Sequence, residues 1–367
     1  MKVCHISTVH PRYDVRIFEK ECRSLAASGY DVTLIVNDQK EDEVIDGVQI
    51  LSLRLSPRNR FDRMTRIADL AFEEAMRVDA EIYHLHDPEL LRIAEKLRKN
   101  GKKVIFDSHE FTTEQIKEKP YLPGWSRHIV SKTYKKYEER ILQKLSGMIV
   151  PCTFEGKNYF SNIPIPKVII GNCPTKKLVS DTDLPLDQRK NRVAYVGSIS
   201  RDRGLFEMVR GVSRSGKELV LIGEMSGEDL DELKIMPEYE CVHYLGRMRH
   251  AEAMEELKKC SVGLCLLNDN GQYFKCDNLP TKMYEYMALG IPVVMSKAPY
   301  WEKVLEKYPF GIAVDVKSSD EISSAICELT SDEVTYQNYS REGKHAILEA
   351  MNWENDEKKL LELYANL

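Results

Sequence analysis

Short runs of β-branched and apolar residues recur along this chain with helical patterns between them, and the whole alternation stops and then begins again. KVCHIST, DVTLIV, VQILSL, IYHLH, KVIFDSH and GMIVP read as strands in the first half. Helical patterns such as VRIFEKECRSLAASG, RMTRIADLAFEEAM and PELLRIAEKLRKNG separate most of them, and SRHIVSKTYKKYEERILQKL is a longer one. Strands spaced this way demand a parallel sheet covered on both faces. After KVIIGN, a polar, proline-containing stretch at residues 173–191 is expected to be a linker. RVAYVGSI, LVLIG, CVHYLG, VGLCLL, PVVMS and GIAVDV then restart the pattern, and the chain is helical from about residue 320 onward. The expected fold class is α/β, with two successive doubly wound domains. Such sheets bind ligands outside the carboxyl ends of their strands, and the cleft between two such domains is the expected site.

Composition narrows the function. The 367 residues, 43 % of them hydrophobic, suffice for two domains with cores. No apolar run approaches the roughly 18 residues of a spanning helix, and the apolar part of MKVCHISTVH is too short and polar for a signal peptide. Nine cysteines without CxxC spacing are expected as reduced thiols in a cytoplasmic protein. Net charge is −5, divided as +3 over residues 1–172 and −8 over the rest. That is too mild for a nucleic-acid binder and suggests that the two halves meet different partners.

Two familiar phosphate signatures fail. GVSRSGKE, residues 211–218, lacks the Ser or Thr after its lysine and lies between helix and strand in the wrong order. GxGxxG is absent, which weighs against a dinucleotide-dependent oxidoreductase. HLHD, residues 84–87, ends a strand, so His84 and His86 share a face. A metal pair is one reading, and a metal-free rim of the sheet is the favoured one. DSHE, residues 107–110, brings Asp107, His109 and Glu110 to the same edge. In YVGSISRDRG, residues 195–204, Arg201 and Arg203 stand at an expected helix N-terminus, and an anion between them would turn their repulsion into attraction.

KCDNLPTKMYEYMALGIPVVMS, residues 275–296, is the most specific stretch. A helix starts after Pro280, apolar almost all round, yet it carries Lys282 and Glu285 and comes just after Asp277. An i, i+3 ion pair would explain two of these, at about 0.2–0.5 kcal/mol. A sugar-phosphate ligand explains all three, with carboxylates on vicinal hydroxyls and the lysine and helix amides on phosphate.

On these residues the chain resembles the retaining GT-B glycosyltransferases of family 4 (group 1), in a bacterial surface-polysaccharide subgroup. Asp277 and Glu285 have that family's two-acid spacing, and EYMALGIPVV matches its alanine-glycine turn and Pro-Val-Val strand. YVGSISRDRG is similar to its phosphate-binding turn, YLGRM to its base-binding loop and IIGNCP to its domain junction, while DVRIFEKE and DSHE look like a capsule-type subgroup. Asp277 stands where the family usually has Glu, Ser198 where it has Arg, and Arg203 where it has Lys.

The resemblance implies two Rossmann-like domains facing across a cleft. Residues 1–172 would bind the acceptor, 173–350 the nucleotide-sugar, and 351–367 would form a C-terminal helix packing back on the first domain. It implies hexosyl transfer with retention from a nucleotide-diphosphate sugar, taken as a UDP-sugar, to a saccharide or lipid-linked saccharide hydroxyl. The setting would be capsule, O-antigen or exopolysaccharide synthesis, with no cofactor and no metal. The implied catalytic residues are His109, Asp277, Arg203 and Lys282. Implied donor contacts are Glu285, Gly197, Ser198, Arg201, Gly246, Arg247, Met248, Leu279, Pro280 and Thr281. Asp14, Arg16 and His86 are expected acceptor or phosphate contacts. Arginines 54, 58, 60, 63 and 66 and the basic helix near residues 127–145 suggest contact with an anionic lipid surface at the inner face of the cytoplasmic membrane. A non-catalytic nucleotide-sugar-binding subunit and a sugar-nucleotide 2-epimerase remain as alternatives.

Overall fold

A computed structural model describes residues 1–119, 122–179, 184–268 and 271–367. Met1–Asn172 with Asn355–Leu367 form one compact unit and Cys173–Glu354 the other. Of the linker expected at 173–191, residues 180–183 lie outside the described residues. The rest belongs to the second unit, where buried Arg189 donates to the carbonyls of Cys260 (3.2 Å) and Leu289 (2.6 Å).

The first unit is built on β1 (Lys2–Ile6), β2 (Asp31–Val36), β3 (Glu43–Ile45), β4 (Val48–Ser52), β5 (Ile82–Leu85), β6 (Lys103–Asp107), β7 (Gly147–Val150) and β8 (Lys167–Ile169). Their order is β3-β4-β2-β1-β5-β6-β7-β8. Every pairing is parallel except β3 with β4. That short antiparallel edge turns through Asp46 and Gly47, both at positive φ, and its three residues carry no apolar alternation to announce it. The helix expected over VRIFEKECRSLAASG begins as a π-helical turn, Ile17–Cys22, and becomes α-helical only over Arg23–Ala27. Its entry is fixed by Asp14, whose Oδ1 accepts from the backbone amides of Arg16 and Ile17, both at 2.9 Å. The C-terminal helix, Trp353–Ala365, returns most of its length to this unit.

The second unit holds β9 (Lys190–Val196), β10 (Glu218–Ile222), β11 (Val242–Gly246), β12 (Cys260–Cys265), β13 (Val293–Ser296) and β14 (Gly311–Val314), all parallel, in the order β11-β10-β9-β12-β13-β14. The order reverses between β9 and β12, where a doubly wound sheet opens a crevice at its carboxyl end. Strand alternation sends Ala194, Val220 and Val293 to one face and Val193, Leu219 and Val294 to the other. Met283, Tyr286 and Met287 cover the first face; Leu205, Met208, Val209 and Ile322 cover the second. Each buried Val, Leu, Ile or Met among them contributes about 1.5–3 kcal/mol. The helix expected to start at Arg201 starts later: Arg201–Arg203 form one tight turn, Gly204 takes φ +67°, and the helix runs Leu205–Arg214. Among the described residues no helix is long and apolar enough to cross a membrane.

The carboxyl ends of β9 and β10 touch backbone to backbone. A Cβ on Gly223 would lie 1.7 Å from the Gly197 carbonyl oxygen, and Gly223 itself holds φ +149°. Gly223→Ala is therefore expected to lower the thermal midpoint by several degrees, at roughly 2–4 °C per kcal/mol for a unit of this size. Gly227→Ala, at an open helix start, should leave it within a degree or raise it. Differential scanning calorimetry of the two variants checks the contrast.

Candidate active site

At the β9/β12 crevice the helix Thr281–Ala288 points its N-terminus to the strand ends. Pro280 is its cap residue, no side chain caps its first turn, and none of its first residues is acidic. Its positive end is thus left open. Lys282, in that first turn, is buried, and its Nζ has no hydrogen-bond partner among the described residues. The ammonium sits 3.4 Å above the centroid of the Tyr195 ring, a cation–π contact, and beside Gly197, whose missing Cβ would be 3.4 Å from it. Burial pushes its pKa down to about 7, with nearby Arg203 acting in the same direction.

Arg203 lies over the Tyr273 ring at 5.4 Å and donates to its hydroxyl at 3.5 Å. Among the described residues it has no carboxylate partner. Arg203 and Lys282 thus stand near an uncapped helix end with no carboxylate hydrogen-bonded to either among the described residues. The Tyr195 ring lies against Lys282, and its hydroxyl donates to the Ser198 carbonyl at 2.8 Å.

The modest ion pair between Lys282 and Glu285 does not form. Glu285 Oε1 instead accepts from His250 Nε2 at 2.9 Å, which ties the helix to the segment after Gly246, Arg247 and Met248. Gly246 takes φ +67°, Arg247 pairs with Glu224 at 2.9 Å on the surface, and Met248 packs on the core. Leu279 is buried, Thr281 is exposed, and Asp277 is half-buried in the turn before the helix. Gly197, Ser198, Arg203, Lys282 and Glu285 thus come together within one unit. Arg201 does not join them: Asp229 (2.9 Å) and Glu232 already hold its guanidinium, so the pair of arginines expected around one anion reduces to Arg203.

In the first unit, two expected acceptor contacts prove to be interior. Arg16, 6 % exposed, grips Asp107 (2.8 Å), Glu21 (3.1 Å) and the carbonyl of Ile170 (3.0 Å). It is a clamp with each of its three guanidinium nitrogens engaged nearby. His86 is fully buried, with its Nδ1 3.1 Å from His109 Nε2 and its Nε2 3.0 Å from His5 Nδ1. Burial lowers the His86 pKa to about 4 and holds His5 and His84 well below the usual imidazole range. Burial works against the Asp107 carboxylate, but Arg16 and His109 overcome it and keep its pKa well below the ordinary value. Asp14 is committed to the helix entry. His109 keeps a fifth of its side chain exposed. Neither Tyr195 as a platform nor His250 as the partner of Glu285 is foreshadowed in the sequence: Tyr195 opens YVGSISRDRG but reads there as an ordinary strand residue, and His250 lies just beyond YLGRM.

Two family models together span most of the chain: Glycosyltransferase Family 4 over residues 16–173 and Glycosyl transferases group 1 over residues 178–346. The chain belongs to the group 1, family 4 glycosyltransferases. Solved structures agree on the GT-B fold. Sucrose-phosphate synthase from Thermosynechococcus elongatus is 16 % identical at a TM-score of 0.78, over 100 % of this chain and 98 % of that one. Anabaena HepE, solved with UDP and glucose, is 10 % identical at 0.71 over all of both chains. An E. coli trehalose-6-phosphate protein bound with UDP-2-fluoro glucose is 14 % identical at 0.70, over 99 % and 98 %. No curated protein sequence matches.

In this glycosyltransferase Lys282 has a cost that a ligand would relieve. A buried unsatisfied polar group costs roughly 1–3 kcal/mol, so Lys282→Met should raise the unliganded melting temperature by a few degrees. The lysine pKa falls from its ordinary 10.5 in the unfolded chain to about 7 in the folded one. The unfolded state therefore binds more protons between these values. The penalty is full below pH 7 and fades as pH rises toward 10.5. The gap between variant and parent should be largest at pH 6 and shrink by pH 9, as measured by thermal unfolding in both buffers.

Proposed function

We propose that the second unit binds a UDP-sugar, and that the enzyme transfers the hexosyl group with retention to a hydroxyl of a saccharide or lipid-linked saccharide in bacterial surface-polysaccharide assembly. The observation that carries this is Lys282, a buried ammonium without a partner beside Arg203 and an uncapped helix end. A diphosphate supplies the missing charge. The nucleotide complexes of HepE and of the E. coli trehalose-6-phosphate protein support UDP over other nucleotides.

Glu285 is assigned to the ribose hydroxyls; its Oε2 accepts no hydrogen bond among the described residues. Asp277 is assigned to hydroxyls of the transferred sugar, and the backbone at Gly246–Met248 to the base. Negative charge grows on the departing diphosphate in the transition state. Lys282, Arg203 and the amides that begin the helix at Thr281 would stabilise it, so no metal is required at that position. Removing one such group commonly costs about 2.7–4 kcal/mol of barrier. His109 is assigned to orienting the acceptor or sugar in the first unit.

Calorimetric titration with UDP tests the reading. Binding is expected in the parent, with affinity at least tenfold weaker in Lys282→Ala and Glu285→Ala. The bound diphosphate should raise the Lys282 pKa above 7, so binding takes up a proton above neutral pH. Affinity should then fall with rising pH by up to tenfold per unit, and heats in two buffers of different ionisation enthalpy measure the uptake. A parent that binds no uridine nucleotide would sink the proposal.

A membrane-facing role for the first unit, at the inner face of the cytoplasmic membrane, is part of the same proposal. Arg54, Arg63 and Arg66 are ion-paired with Glu41, Glu89 and Asp62. The support comes more from exposed apolar side chains: Phe61 at 75 %, Trp125 at 78 % and Ile129 at 61 %. Sedimentation with anionic vesicles should bring the protein down, and Phe61→Ser with Trp125→Ser should leave it in the supernatant.

A further inference from the structure

Where the strand order of the first sheet reverses, between β1 and β5, four side chains converge that the glycosyl-transfer reading leaves without a task. His5 of β1 pairs in register with His84 of β5. His86 comes two residues later on the same face, and Glu21 reaches in from the π-helical turn. All four are essentially inaccessible. His5 Nδ1, His84 Nε2 and His86 Nε2 each lie 4.0 Å from one atom, Glu21 Oε2. Both Glu21 Oε2 and His84 Nε2 lack a hydrogen-bond partner among the described residues. Two orphaned polar atoms aimed at each other in a dry interior are costly, and the four potential ligand atoms lie within 4.8 Å of one another.

The outward atoms are all held. His5 Nε2 and His84 Nδ1 meet the Tyr364 hydroxyl at 3.2 and 2.8 Å. His86 Nδ1 has His109 Nε2 at 3.1 Å and Asp107 Oδ2 at 3.5 Å. Glu21 Oε1 accepts from Arg16 at 3.1 Å. His5 Nδ1 and His86 Nε2 share a proton at 3.0 Å; once an ion displaces it, each outward nitrogen carries its own proton toward an acceptor, and all three inward nitrogens present lone pairs. That is the arrangement of ligands around a metal, oriented by an outer ring of hydrogen bonds.

We propose that His5, Glu21, His84 and His86 hold one divalent first-row transition-metal ion, with zinc the best fit, as a closed structural centre. Three imidazoles and a carboxylate suit a tetrahedral ion with ligand bonds of about 2.0–2.2 Å, which asks the four atoms to draw in by a fraction of their present spacing. Four protein ligands leave no open position, so the centre binds no substrate. It would join β1, β5 and the first helix, and it would fix the protonated face of His86 toward His109. This goes beyond the sequence, where HLHD alone favours a metal-free rim.

The test is metal analysis of the full chain, produced without a metal-affinity tag in zinc-supplemented medium and dialysed against a weak chelator. About one ion per chain is expected, with X-ray absorption at that metal's edge showing nitrogen and oxygen neighbours, imidazole outer-shell scattering and no sulfur. Stripping with a strong chelator should lower the melting temperature, and added zinc should restore it. Glu21→Gln and His84→Ala should lose the ion; should they fail to fold, the parent's metal content and spectrum still decide. A parent that carries no stoichiometric metal and gains no stability from added zinc overturns the proposal, as does an absorption spectrum dominated by cysteine sulfur.

Discussion

Parallel strands laid down outward from a first strand, in both directions, cannot close over the point where their order reverses. The helices after the two strands at that point leave on opposite faces, and the backbone ends there point into a gap. Both units of this glycosyltransferase have such a gap, at β9/β12 and at β1/β5. What each sequence puts into its gap decides what the unit does.

The second unit fills its gap with positive charge and withholds the partner. Tyr195 offers a ring face and Gly197 offers backbone, but among the described residues no carboxylate hydrogen-bonds Lys282. Under the proposed function this is the usual trade between stability and function. The first unit does the opposite. Arg16, Asp107, Glu21 and three histidines interlock in the interior, with His109 at their partly exposed edge. A residue's charge and its place at a strand end look the same in the two cases; only the count of partners separates a binding group from a clamp.

That difference explains how much is legible in the residues alone. Strand and helix alternation is local and strongly patterned, so the two doubly wound units are visible in the sequence, as is the cluster of Lys282 and Glu285 on one short helix. Arg16 and His86 are legible as strand-top polar residues but not as buried ones, because partners such as Asp107 and Ile170 lie far away in the chain. Arg201 misleads for the same reason: Asp229 and Glu232, on the next helix, claim it first. The π-helical turn at Ile17–Cys22 leaves the apolar periodicity almost intact, yet it rotates Glu21 inward. The short strand β3 has too few residues to show a period.

Tyr364 adds an ordering in time. Its hydroxyl serves His5 and His84, residues made early in synthesis. Between Asn172 and the returning helix stand the roughly 180 residues of the second unit. A ribosome adding about 5–20 residues per second needs on the order of ten to forty seconds to make them. Throughout that interval the first sheet can form while its centre stays incomplete, with two imidazoles waiting on a tyrosine not yet translated. The half of the protein that is made first is therefore the last to be finished.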